Sequence, residues 1–425
     1  MKSIFLYLRH PSKLYSPELW IILLALLLRV LWVVAVPVVP ISDSHAYDTL
    51  ARNLASGIGY RWSSYAPPTA FWPVGTSLIY SLLYRVFGFT YLPIVIFNLL
   101  LSAIIIFCSM RLAQTWFNRS VAIATGLLLA LWPIQIQFTT VLASELPFIA
   151  LVLVALLLWI NDRTNLWLRA ILVGILSATA TYVRPIAYLI PLLLLFFRWV
   201  KTRELFKSLK ATAIIFVLMA VLLAPWSIRN TMAFGQFVTI STNGGANLWM
   251  GNNPNSTGGF MKLPAEVYGM NEAERDKYLK SVALAHIKEK PLLFVWRCVT
   301  RLVDTHSRES IGISWNESGL KKRYGTGILL PLKIINQIFW MSVLGLALSG
   351  IVILGLQQGL LTTITHPTVV IWGYFVAIHA IIVAQDRYHF PSIPMIAILA
   401  AFTLTYWIDK KRKVQKFIKN SRTTL

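Results

Sequence analysis

Asp43, His45, Glu145, Arg184, Arg229, Asp386, Arg387 and His389 share one property: each stands at or beside the end of a long apolar segment. Ionisable groups at membrane depth are costly and suggest function unless a partner explains them. A carboxylate can take the proton of an attacking hydroxyl. Guanidinium groups grip phosphate through two parallel N–H bonds. An acid with several arginines therefore suits displacement at an anionic, phosphate-bearing substrate. Each residue also has a plain structural use. Asp43 can cap a helix beginning near Ser44. Glu145 follows Ser144 at a helix start, where a carboxylate complements the dipole. Arg184 and Arg387 can snorkel to an interface. Arg29 lies inside the first apolar segment, where snorkelling is harder, and is expected to face a pocket. His45, His379 and His389 match no helical metal motif, so no metal ligand is assigned. Whether a divalent ion takes part is left open.

The elements that must position these residues follow from composition. The 425 residues are 57% hydrophobic and only 13% charged. Soluble domains average about 25% charged, which excludes one soluble globular domain as well as a disordered chain. Two cysteines exclude a disulfide scaffold and a Cys-based zinc cluster. Ten apolar segments are long enough, or nearly so, to cross a bilayer: roughly 17–39, 89–110, 120–141, 144–160, 167–183, 185–200, 211–227, 328–355, 367–384 and 389–408. The expected fold is an all-α polytopic membrane protein of about ten transmembrane helices. The first segment is too long for a signal-peptide core and lacks a cleavage site, so it reads as an uncleaved anchor.

Orientation comes from Lys and Arg in short loops. The clusters at 198–210 and 410–422, with Lys2, Arg9, Lys13, Arg111, Arg119, Arg163 and Arg169, fall on one side, which the positive-inside rule makes cytoplasmic. Both termini are then inside. The organisation is an N-terminal module 1–227 with a first outer loop 40–88, an outer loop 228–327, C-terminal helices 328–408 and a basic cytoplasmic tail 409–425. This asymmetry accounts for much of the net charge of +23 without nucleic acid as a partner. The tail is expected to lie on anionic membrane lipids. Asp43, His45, Glu145, Arg184, Arg229, Asp386, Arg387 and His389 then all face outside. In the first loop, Tyr47, Leu50, Ala51 and Leu54 recur at helical spacing opposite His45, Asp48, Arg52 and Asn53. This pattern predicts an amphipathic helix on the membrane surface, with a second near 74–87. The outer loop reads as mixed, with turns at 243–259 and a helix over 271–289.

The motifs in this order resemble a family. They are Asp43-Ser44-x-x-Tyr47, Ala51-Arg52-Asn53-Leu54-Ala55-x-Gly57-x-Gly59-Tyr60, Pro67-Pro68, Trp72-Pro73-Val74-Gly75, Ser144-Glu145 and Arg184-Pro185. The most specific are Ala224-Pro225-Trp226-Ser227-Ile228-Arg229-Asn230 and the stretch from Ile240 through Asn243-Gly244-Gly245 to Asn253, followed by Arg387-Tyr388-His389-Phe390-Pro391. Together they resemble the GT-C glycosyltransferases, in the bacterial branch related to protein O-mannosyltransferases and lipid A aminoarabinose transferases (glycosyltransferase family 39). The resemblance implies transfer of a sugar from a polyprenyl-phosphate donor to a glycan, lipid or protein acceptor, outside the cytoplasmic membrane. Asp43 corresponds to the family's acidic first-loop residue, its catalytic base. Family members often carry a second acid beside it, where this chain has Ser44. Substrate contacts are expected from Tyr47, Arg52, Glu145, Arg184, Arg229, Asn243, Arg387 and Tyr388. Two other functions fit the composition: a transporter or flippase of lipid-linked sugars, and a polymerase or ligase of surface polysaccharide. The first would favour two related halves, and no such symmetry is present. The second needs no acid in the first loop.

Overall fold

The computed structural model describes residues 17–422. Lys2, Arg9 and Lys13, which contribute to the orientation, lie outside the described residues, as does the end of the tail at 423–425. All ten apolar segments are helical. Among the described residues, seven helices are long and apolar enough to cross a membrane. They include α1 (Pro17–Ala35), and a bent pair, Arg119–Leu131 with Pro133–Thr140, makes an eighth. The remaining two, Glu145–Ile160 and Pro367–Ile381, are apolar but only 16 and 15 residues long. By length and composition seven or eight of the described helices qualify as spans, and the expected count of ten is not confirmed.

The bend in the pair is 57° and follows from Pro133, which cannot donate to the helical ladder. The break leaves carbonyls at the end of Arg119–Leu131 without helical partners. Arg29 supplies them: its guanidinium donates to Leu129 O at 3.1 Å and Ala130 O at 3.2 Å, and to Ala25 O on its own helix. Arg29 is fully buried. It seals a broken helix at membrane depth, where unpaired backbone is costly, and does not face a pocket as the sequence suggested. Beyond the bend, Gln137 and Asn336 exchange amide bonds of 2.7 and 2.8 Å.

The first loop folds into α2 (Asp43–Ala55) and α3 (Val74–Phe87), which pack on one another. The amphipathic pattern is real, but α2 does not lie on a lipid surface. Tyr47 packs with Tyr80, Tyr84 and Leu142, and Leu50 with Tyr60 and Val74. Its other face is covered too, with Ser44 and Asp48 buried. Asp48 sits there at no penalty, because Arg52 and two tyrosine hydroxyls satisfy its carboxylate. In contrast, α3 exposes Leu78, Leu82 and Val86 along one stripe.

Among the described residues there is no strand, only an isolated bridge between Arg61 and Pro68. The outer loop is mixed as expected, with turns over 252–259 among four helices: α4 (Gly244–Gly251), α5 (Glu272–Glu289), α6 (Pro291–Ser307) and α7 (Ile311–Tyr324). The expected turn at Asn243–Gly245 is instead the start of α4. Here glycine serves close approach: a Cβ on Gly245 would overlap the Asp276 carbonyl, and one on Gly251 the Ile382 carbonyl. The start of α5 carries a full capping box, Asn271 with Glu274. Arg301 of α6 is fully buried and donates to Ala380 O, Gly251 O and Asn252 Oδ1, tying the outer loop to the end of Pro367–Ile381.

The orientation carries a direct expectation. Single cysteines at positions 205 and 415 should react with impermeant thiol reagents only after the inner face is opened. Labelling of either from outside in intact cells would overturn the charge-derived topology.

Candidate active site

Four charged side chains meet at one end of the bundle, each placed by a helix terminus. Asp43 is the first residue of α2. It follows Ser42, whose φ of 52° turns the chain sharply from the first span into the loop. Glu145 opens Glu145–Ile160. Arg184 closes the helix Leu166–Val183 in extended conformation, as a residue before proline must. Arg387 lies in the connection between Pro367–Ile381 and the last helix, Ile393–Arg422. The capping use of Asp43 is not observed. Its Oδ2 instead lies 2.7 Å from Arg387 Nη2.

Glu145 is the buried hub. Its Oε1 pairs with Arg184 Nη2, and Arg387 Nη1 stands 3.9 Å away. Its Oε2 has no hydrogen-bond partner. Arg184 Nε also donates to Ser144 Oγ at 2.7 Å. The Arg387 guanidinium donates to Gln385 Oε1 at 2.9 Å and lies 4.6 Å from the centre of the Trp315 ring. Burial works against its charge, but the Asp43 and Glu145 carboxylates more than offset this and hold it above the usual arginine range. Two acids and two guanidinium groups thus neutralise one another.

Asp43, Arg184 and Arg387 open onto a cavity of about 290 Å³. Tyr47, Asn243 and Tyr388 line it as well. Burial pushes the Tyr47 phenol up to about 12, so it stays a hydrogen-bond donor at neutral pH. Tyr388 stacks on His379 at 4.4 Å. Asn243 precedes α4 and accepts from Ser241 Oγ at 2.9 Å. Such a cavity offers a carboxylate, two guanidinium forks and aromatic walls in one place. Among the described residues, no group of three or more His, Cys, Asp or Glu gathers as metal ligands do.

Two of the expected contact residues are elsewhere. Arg52 pairs with Asp48 at 2.9 Å and is flanked by the rings of Tyr84, Phe89 and Tyr91. Arg229 donates to Thr69 O at 2.8 Å and Tyr60 O at 3.1 Å and stacks on Trp226. Its fork holds the backbone of the first loop and does not line the cavity.

Other residues that sequence reasoning passed over complete the frame. Glu272 of α5 accepts from Thr69 Oγ1 at 2.6 Å, Ala70 N at 2.8 Å and Thr242 Oγ1 at 2.9 Å, joining both outer loops. Glu309 is fully buried; it accepts from Trp132 Nε1 at 2.9 Å and lies 3.3 Å from His389 Nε2. Ser310 donates to Asp386 Oδ2 at 2.7 Å. The chain on both sides of Arg387 is therefore anchored to the outer loop. Glu272→Ala should lower stability by about 1.5–3 kcal/mol, the worth of hydrogen bonds to a charged group, and speed proteolysis within 60–70. An unchanged digestion pattern would mean that this staple does not hold the loops.

Residues 68–228 match the family described as dolichyl-phosphate-mannose-protein mannosyltransferase. No curated protein matches by sequence. Among solved structures, the chain is similar to the oligosaccharyltransferase AglB of Archaeoglobus fulgidus, in complex with an inhibitory peptide and a dolichol-phosphate, with a TM-score of 0.57 at 12% identity, covering 96% of this chain and 52% of that one. Another structure of the Archaeoglobus fulgidus oligosaccharyltransferase, with zinc and sulfate, gives 0.54 at 15% identity over 93% and 49%. ArnT of Cupriavidus metallidurans bound to undecaprenyl phosphate gives 0.55 at 16% identity over 91% and 60%. The chain spans about half to three-fifths of the length of these proteins. The fold is that of the GT-C membrane glycosyltransferases.

Proposed function

We propose, from the GT-C fold and the family match over residues 68–228, that this chain transfers a hexosyl or pentosyl unit from a polyprenyl phosphate to an acceptor hydroxyl. The solved relatives bound to dolichol-phosphate and undecaprenyl phosphate support a lipid-phosphate donor. The observation that carries the reading is the convergence of Asp43, Arg184 and Arg387 on one cavity beside the buried Glu145.

A sugar on a phosphate already has a good leaving group, so the reaction needs no general acid. The acceptor oxygen attacks the anomeric carbon from the face opposite the phosphate, which inverts the configuration. The bond from the anomeric carbon to the phosphate oxygen breaks, and its electron pair leaves on the phosphate. Arg184 and Arg387 take up that charge. Asp43 accepts the hydroxyl proton. Tyr47, Asn243 and Tyr388 orient the sugar. By the charge asymmetry, this happens at the extracytoplasmic face of the cell membrane, in the loops 40–88 and 228–327, with both termini cytoplasmic.

The test is purified protein in lipid vesicles with a series of single-sugar polyprenyl phosphates. Release of polyprenyl phosphate together with acceptor glycosylation is the expected result. Donors that stay intact across hexoses and pentoses, with surface glycans unchanged in cells lacking the protein, would overturn it.

A further inference from the structure

A second cavity, of about 360 Å³, lies at the other end of the bundle. It is bounded by Trp116, Trp159 and Phe197 on its apolar side and by Arg198, Lys201 and Asp162 on its polar side. Trp159 and Asp162 flank the end of Glu145–Ile160 that is far from Glu145. The 16 residues of that helix separate the two cavities by roughly 24 Å along its axis. No step of the proposed transfer uses this site.

Its charges are unbalanced. Asp162 is shared by Lys201 and Arg169, and Glu204 by Arg198 and Lys207. Of the charged side chains that line the cavity itself, two are cations, Arg198 and Lys201, and one is a carboxylate, Asp162. The Arg198 side chain is only 9% exposed, yet its Nε has no hydrogen-bond partner. A buried guanidinium N–H without an acceptor is expensive and points to a ligand that supplies an oxygen. The tryptophans mark headgroup depth, where one end of a ligand is apolar and the other wet.

We infer that this cavity is a binding site for an anionic phospholipid of the adjacent leaflet. The headgroup phosphate accepts from Arg198 Nε and Lys201 Nζ, and the first acyl carbons lie against Trp116, Trp159 and Phe197. The cationic surplus of the lining selects against zwitterionic headgroups. The aromatic wall selects against a free phosphate.

The full chain, delipidated in detergent, is titrated with phosphatidylglycerol, phosphatidylcholine or soluble glycerol phosphate. Bound lipid is counted by native mass spectrometry, and thermal unfolding is followed in parallel. Phosphatidylglycerol should bind and raise the unfolding temperature, while the other two should do neither. Arg198→Gln should weaken that binding by about tenfold to a hundredfold, as expected for a lost charge-assisted bond. Lys201 is half exposed, so Lys201→Gln should fold in any case and show a similar but smaller loss. Lys288→Gln, which changes an exposed residue of α5 in the outer loop, should bind as the unaltered protein does. Equal binding of phosphatidylcholine would overturn the site, as would unchanged phosphatidylglycerol affinity in Lys201→Gln or stabilisation by glycerol phosphate alone.

Discussion

Asp43→Asn is expected to yield a folded protein whose turnover falls by about 10²–10⁴-fold, the usual loss when acid–base catalysis is removed. The substitution keeps the side chain's size and its place at the start of α2. It can still accept one bond from Arg387 Nη2, which lies 2.7 Å from Asp43 Oδ2. It cannot accept the hydroxyl proton. Donor binding should survive, because Arg184 and Arg387 remain. Steady-state release of polyprenyl phosphate and equilibrium donor titration separate the two effects. A near-native rate in Asp43→Asn would leave Asp43 as a structural partner of Arg387 and move the base elsewhere, with Glu145 the next carboxylate in reach.

Arg387→Ala should weaken donor binding by about 1.5–3 kcal/mol, the range for a hydrogen bond to a charged group, or roughly 10–150-fold in dissociation constant. The loss goes beyond one contact, because Arg387 stands between Asp43 and Glu145. Without it Asp43 has no cationic partner, and Glu145 depends on Arg184 alone. Two carboxylates then face the incoming phosphate with one guanidinium between them. Arg387→Lys restores the charge but not the planar fork that reaches both acids, so it should recover part of the affinity. Unchanged donor affinity in both variants would make Arg387 an ordinary interface arginine, and Arg184→Ala would then be the decisive measurement.

The helices were legible from hydropathy, because a segment that crosses a bilayer must be apolar all round. Their number was not, because 145–160 and 367–381 are apolar yet short. The gathering of Asp43, Glu145, Arg184 and Arg387 was legible as well. All four end apolar segments on one side, and a costly charge at such a place needs partners. What each arginine touches was not legible. Arg229 ends a span as Arg387 does, but its partners are carbonyls about 160 residues earlier, and no local pattern encodes that distance. Arg29 reads as functional until the broken helix beside it is seen. Arg52 is different: Asp48 is its i−4 neighbour, a pairing visible in the sequence. Burial of α2 on both faces was hidden because α3 and Leu142 cover what resembled a lipid-facing stripe.

In the proposed reaction, the Arg387–Asp43 contact couples the two substrates. While the cavity is empty, the carboxylate has one oxygen engaged by the guanidinium, and a stray water must compete for it. A phosphate that draws on Arg387 loosens this grip and frees Asp43 for a hydroxyl. The two guests are then energetically linked, and whatever the first lends the second is returned in equal measure. The consequence, for the proposed reaction, is positive cooperativity: a donor analogue without a transferable sugar should tighten acceptor binding, and the acceptor should tighten donor binding by the same factor.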